Sequence, residues 1–272
     1  MEKIKKALDH ARSLQKTDKI SSRHVNALNK VNRVDDLSKI EYTKTRTVKV
    51  SKQELLEKRV LLGDDKNAVT DQYKVLRTRV LQRLKANQWR TLAISSPTEG
   101  CGKTLTSINL AISLARDVNH SVLLVDLDLR RPSVHKYFYT DEQPGISEFM
   151  DGTSNLDELL FNPDIERLVV LPGNKPLANS SEMLSSPRMI KLVDELKSRY
   201  PNRIVIFDMP PLLSCDDMIA FSPYVDATML IVEEGATKKE DLRQSYNLIN
   251  DKNVIGVVLN KSKKPTSSYS YY

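Results

Sequence analysis

The run Ser95-Ser96-Pro97-Thr98-Glu99-Gly100-Cys101-Gly102-Lys103-Thr104 sets two glycines, a lysine and a threonine at the spacing that cradles a phosphate chain. Glycines let backbone N–H groups approach anionic oxygens, and a lysine places a cation on the β- and γ-phosphates. A neighbouring hydroxyl can ligand Mg²⁺. The apolar run TLAIS precedes the loop and LTSINLAISLA follows it, which is the strand, loop and helix context that a P-loop requires. The candidate nucleotide contacts are therefore Gly100, Cys101, Gly102, Lys103, Thr104 and Leu105, and Pro97 stands where the general motif has its first glycine.

Two further segments end in carboxylates. In Leu123-Leu124-Val125-Asp126-Leu127-Asp128, the acids at i and i+2 are expected on one side of a strand end, in the crevice where open α/β sheets bind ligands. Ile204-Val205-Ile206-Phe207-Asp208 is a second apolar strand closed by an acid, as a Walker B strand is. Mg²⁺ takes a few carboxylates with phosphate oxygens and water, so Thr104, Asp126, Asp128 and Asp208 are the metal candidates. Arg130 is expected to bind phosphate or to pair with those carboxylates.

Such residues need a rigid scaffold. Short apolar runs at 91–95, 122–127, 167–172, 203–209, 227–233 and 254–260 alternate with helical stretches. Their continuous hydrophobicity marks strands covered on both faces, so the expected fold is α/β, a doubly wound and mainly parallel sheet. A helix is expected from about Thr70 to Leu84, with Tyr73, Leu76, Val80 and Leu84 on one face. Ser51 and Glu54 have the spacing of a capping box ahead of Leu55 and Leu56.

Near the start, Ile4, Ala7, Leu8, Ala11 and Leu14 recur at helical spacing, which predicts an amphipathic helix over residues 2–15. Residues 16–50 are polar and aperiodic and read as a linker. The expected division is a basic N-terminal extension at 1–62, a catalytic domain at 63–260 and a tail at 261–272. The net charge of +7 would suit nucleic acid if it were spread over the domain, but residues 1–62 hold 16 basic against 8 acidic side chains, and the remainder 26 against 27. The basic extension suits acidic lipid headgroups or an acidic partner, and no nucleic-acid role is expected.

Two cysteines, Cys101 and Cys215, are too few for a metal cluster or disulfide framework. No stretch approaches the roughly 20 apolar residues of a membrane helix, and the first residues lack a secretory h-region, so a cytoplasmic protein is expected. Three of the ten tyrosines, Tyr269, Tyr271 and Tyr272, fall in the last four residues. They lie in a Ser- and Lys-rich stretch with nothing to pack against, which suits a tail that carries a phenol into an active site.

Together SSPTEGCGKT, LLVDLDLR and IVIFDMPP resemble the Walker A, Walker A′ and Walker B motifs of the bacterial tyrosine kinases of capsule and exopolysaccharide synthesis, a deviant-Walker branch of the P-loop NTPases. The likeness extends over most of residues 70–272, with DQYKVLRTRV similar to the family's oligomerisation helix through Asp71, Lys74 and Arg77. Lys74 lacks the bidentate fork of an arginine at that place. The resemblance implies that Lys103, Asp126 and Asp128 are catalytic. Asp126 would assist deprotonation of the acceptor tyrosine and touch Mg²⁺, Asp128 and Asp208 would hold the metal through water, and Asn260 would read the adenine edge. It also implies ATP and Mg²⁺ as cofactors and autophosphorylation of Tyr269, Tyr271 and Tyr272 in trans. The implied partners are other copies in a ring-like homo-oligomer, a membrane chain-length regulator as activator and a protein-tyrosine phosphatase, with the protein held at the inner membrane through its partner. Glu233 stands where the family often has arginine. The rival is a partition or division-positioning ATPase of the same superfamily, whose loop resembles KGGxGKT; here Thr98 holds the place of its early lysine.

Overall fold

The computed structural model describes residues 45–63, 67–141, 143–249 and 253–263. The helix expected at 2–15, most of the linker and the tyrosines Tyr269, Tyr271 and Tyr272 lie outside the described residues. The chain divides into two units at residues 39 and 40, and all described residues belong to the second.

Eight strands form one sheet: β1 (Arg46–Thr47), β2 (Thr91–Ser95), β3 (Ser121–Asp126), β4 (Phe161–Asn162), β5 (Leu168–Leu171), β6 (Arg203–Asp208), β7 (Ala227–Glu233) and β8 (Val254–Asn260). Their order is β1-β4-β5-β3-β6-β2-β7-β8, and every adjacent pair is parallel except β4 with β5. All six expected runs are strands. β3 stops at Asp126, so Asp128 lies beyond the strand end rather than on it.

Nine helices accompany the sheet among the described residues: α1 (Lys52–Glu57), α2 (Ala68–Asn87), α3 (Lys103–Ala115), α4 (Ile146–Asp151), α5 (Leu156–Leu159), α6 (Ser180–Leu184), α7 (Pro187–Ser198), α8 (Asp217–Phe221) and α9 (Lys239–Leu248). Alternation along the strands divides the core in two. Leu92, Ile94, Leu124 and Ile206 pack with Val80 and Leu84 of α2 and Ile108 and Ile112 of α3. Ala93, Leu123, Val125, Val205 and Phe207 pack with Leu192, Val193 and Leu196 of α7. Both faces of the inner strands are covered, as continuous hydrophobicity requires, whereas on the edge strand β8 Val257 and Leu259 are exposed.

Three expectations change. The helix over 70–84 starts earlier, because Asn67 caps it by accepting the Thr70 N–H at 2.8 Å. Ser51 is the N-cap of α1 but its side chain makes no capping bond, so the capping box does not form. Burial holds α1 instead, through Leu55 and Val60. Residues 45–62 are also not an appendage. β1 pairs with β4, Val48 and Val50 pack on the core, and Asn109 of α3 both accepts the Leu61 N–H at 2.8 Å and donates to the Arg59 carbonyl at 3.1 Å. Few apolar residues anchor this charged segment, which hides it in the composition.

Candidate active site

The loop from β2 to α3 bends through two left-handed residues, Gly100 at φ 81° and Gly102 at φ 86°. At Gly100 a Cβ would meet nothing, so only the backbone conformation demands glycine. At Gly102 a Cβ would also run into the side-chain amide of Asn260, which comes from the end of β8 and donates to the Cys101 carbonyl at 2.8 Å. Cys101 is buried, its Sγ 3.6 Å from the hydroxyls of Thr98 and Thr237. The strand before the loop is tied to the segment after β6: Ser95 Oγ donates to the Pro210 carbonyl at 2.6 Å, and the Leu212 N–H donates to the Ser96 carbonyl at 2.8 Å.

α3 starts at Lys103, so Lys103, Thr104 and Leu105 form its first turn, where N–H groups have no acceptor within the helix. The Leu105 side chain packs on the core. Parallel register sets Asp126 of β3 directly beside Asp208 of β6, the two carboxylates at adjacent strand ends. Asp208 is fully buried and saturated from α3: Thr104 Oγ1 donates to Oδ2 at 2.6 Å, and Ser107 Oγ donates to Oδ1 at 2.9 Å. Lys103 Nζ lies 2.8 Å from Asp128 Oδ2 and 3.5 Å from Asp208 Oδ2. Asp126, also fully buried, accepts the N–H groups of Ser133 and Val134 at 2.9 Å each, and that of Asp128 at 3.2 Å.

One ammonium faces three acids. Burial disfavours the charged Lys103, but Asp208 and Asp128 outweigh it and hold the lysine firmly protonated. Burial first, and then the charge of Asp208, push Asp126 up to about 7, against the pull of Val134, Lys103 and Ser133. Asp208 is raised by burial and by Asp128, with Lys103 and Thr104 opposing. Asp126 therefore titrates near neutrality, where a carboxylate can take up a proton in a reaction.

The sequence candidates Lys103, Thr104, Asp126, Asp128 and Asp208 converge, with Asn260 against the glycine loop. Every candidate metal donor is a hard oxygen, which suits Mg²⁺. Among the described residues no group of three His, Cys, Asp or Glu is placed to hold a metal ion by itself. Of the two roles expected of Arg130, pairing with the site carboxylates is not seen, since it pairs with Asp217 and Asp216. Asp71 and Lys74 are exposed on α2 and paired with each other at 2.8 Å, whereas Arg77 donates to the Ser113 carbonyl of α3 at 3.1 Å, inside its own chain. Sequence reasoning missed Ser107, one turn after Lys103 on the same helix face, and Gly173, where a Cβ would lie 3.3 Å from the Asp126 carboxyl carbon.

Comparison with known proteins bears on the family and the fold. The model of the AAA domain family matches residues 89–254. A tyrosine-protein kinase of Acinetobacter johnsonii is 32% identical over 71% of this chain, and another of Bacillus subtilis, YwqD, is 29% identical over 78%. The chain spans 26% of the Acinetobacter relative and 90% of the Bacillus one. The kinase domain of the Escherichia coli tyrosine kinase ETK superposes with a TM-score of 0.68 at 25% identity, covering 84% of this chain and 92% of that one. The chain belongs to the AAA domain family, among the bacterial tyrosine kinases. The septum site-determining protein MinD of Pyrococcus horikoshii shares the fold alone, with a TM-score of 0.53 at 20% identity over 64% of this chain and 72% of that one. Thr98, at the place where the rival loop is expected to carry its early lysine, sets its hydroxyl 3.6 Å from Cys101 Sγ.

Proposed function

We propose that this bacterial tyrosine kinase binds Mg-ATP at the glycine loop and autophosphorylates in trans, passing the γ-phosphoryl group to Tyr269, Tyr271 and Tyr272 of another copy, and that this controls capsule or exopolysaccharide production. The observation that carries the reading is the meeting of Lys103 with Asp126, Asp128 and Asp208 at the start of α3.

Phosphoryl transfer asks a protein mainly for positioning and charge stabilisation. Here the first-turn N–H groups of α3 and the Lys103 ammonium hold the β- and γ-phosphates. The phenolic oxygen of the acceptor forms its bond to the γ-phosphorus as the bond to the β–γ bridging oxygen breaks. ADP leaves, and the phenolic proton passes to Asp126. Mg²⁺ would be held by Thr104 and by Asp126, Asp128 and Asp208, directly or through water, and would supply charge neutralisation on the phosphates. Asn260 donates one N–H to the Cys101 carbonyl, and its Oδ1 is an acceptor for the amino group of adenine.

Other copies of the chain, a membrane chain-length regulator that activates the kinase, and a protein-tyrosine phosphatase that resets it are the proposed partners, with the kinase cytoplasmic and brought to the inner membrane by the regulator. Among the described residues no helix is long and apolar enough to cross a membrane. Anti-phosphotyrosine blotting after incubation with Mg-ATP tests the reading. Labelling is expected in the parent chain and absent from Lys103→Met and from a variant with all three tail tyrosines changed to Phe. Unchanged labelling in either variant would refute it.

A further inference from the structure

Arg130 and Asp217 lie outside the phosphate site, yet they join the two segments that deliver its carboxylates. Arg130 sits in the loop that runs from β3, through Asp128, to the short 3-10 turn Val134–Tyr137. Asp217 opens α8, downstream of Asp208. The Arg130 Nε and Nη2 reach Asp217 Oδ1 at 3.2 and 3.1 Å, and Nη2 comes within 3.7 Å of Asp216 Oδ1. Asp217 is fully buried, and its other oxygen, Oδ2, is buried without a hydrogen-bond partner. Cys215 beside it is pushed up to about 11, chiefly by burial, and stays a neutral thiol.

A buried carboxylate with one oxygen unmet depends on its counter-charge, and breaking such a pair from one side leaves an uncompensated charge. Asp217 therefore pins Arg130, and Arg130 pins its loop. That same loop supplies the Ser133 and Val134 N–H groups to Asp126 and the Arg131 N–H to Asp128 at 3.1 Å. The neighbouring pair of Arg131 with Glu99 is 75% and 59% exposed, against 44% and 0% for Arg130 with Asp217, so with no buried partner it is the more fully screened of the two.

We infer that Arg130, acting through Asp217, is a positioning residue for the phosphoryl transfer: it locks the loop of residues 127–133 to α8 so that Asp126 and Asp128 stand opposite Asp208. The inference rests on the kinase reading for its main readout. In the full chain, Arg130→Gln, Asp217→Asn, the double variant and Arg130→Lys are compared for kcat and KM of ATP in tail phosphorylation, for affinity toward a fluorescent ATP analogue, and for Tm.

Misplaced catalytic groups cost rate rather than ground-state binding, so Arg130→Gln should lower kcat about tenfold or more while analogue affinity changes less than about threefold. The double variant should be no slower than the slower single one, and Arg130→Lys should recover part of kcat. The inference is overturned if Arg130→Gln keeps kcat within about twofold, if affinity and kcat fall together, or if the two losses add. Should Arg130→Gln fail to fold, Arg130→Lys decides: a reduced kcat at unchanged Tm supports the lock, and the parent's kcat overturns it. A parent chain that turns over ATP without labelling its tyrosines would refute the kinase reading alone, and the same comparisons then stand on ATP hydrolysis.

Discussion

Asp126 is the side chain proposed to take the acceptor's proton, and burial, with the charge of its neighbour Asp208, pushes it up to about 7, above the ordinary carboxylate range. Its folded pKa is raised, so ionising it opposes folding: the penalty is absent below about pH 4 and fully present above about pH 7. Asp126→Asn removes the ionisation while keeping an oxygen for the Ser133 and Val134 N–H groups. The Tm of this variant should therefore match the parent near pH 4 and exceed it by at least about 2 °C at pH 8, as thermal melts at the two pH values would show. A constant difference across pH would contradict the raised pKa. The glycine loop gives a second expectation. Gly102→Ala forces a Cβ into a left-handed residue and against Asn260, so nucleotide affinity by fluorescence titration should fall about tenfold or more, whereas Gly100→Ala meets no side chain and should cost less. Asp126, Asp128 and Asp208 were legible in the sequence because they stand where apolar runs stop, and Lys103 because it follows two glycines in a loop between strand and helix. Ser107 and Asp217 were not, since a serine inside a helix and one acid of an adjacent pair have no local signature.

At the scale of elements, six strands were readable because they are unbroken apolar runs, while the two-residue strands β1 and β4 at one side of the sheet were not. β1 is two residues, Arg46 and Thr47, and exists only because β4 offers it a partner, a tertiary fact with no trace in periodicity. α1 was likewise placed in a basic extension, since its anchorage is Leu55 at 2% exposure and Val60 at 0% amid charged neighbours. If that anchorage is real, Leu55→Ala should destabilise the domain by about 2–5 kcal/mol in urea unfolding, the ordinary cost of emptying a core leucine site. A change below about 0.5 kcal/mol, typical of surface positions, would return residues 45–62 to the status of a linker. The segment also reaches the site: Lys58 donates to the Lys136 carbonyl at 2.9 Å, at the far end of the turn whose first N–H groups hold Asp126.

For the whole molecule, the charge is divided by position: a basic first segment precedes a domain with 23 basic against 27 acidic side chains at 63–260 and a tyrosine-bearing tail with three lysines. Asp71 and Lys74 make only an exposed pair within α2, worth about 0–1 kcal/mol to folding. An Asp71→Ala, Lys74→Ala chain should thus keep its Tm, and if these residues serve assembly, as proposed, it should sediment as smaller species than the parent. Equal sedimentation would remove them from the interface. Arg77, engaged with α3, is the exception, because its loss also loosens helix packing. The most direct test of the central claim is intact-protein mass spectrometry of the full chain after incubation with Mg-ATP. The expected result is stepwise gain of up to three phosphoryl groups, mapped to Tyr269, Tyr271 and Tyr272 and absent from Lys103→Met. ATP turnover with no gain in mass on those tyrosines would contradict it.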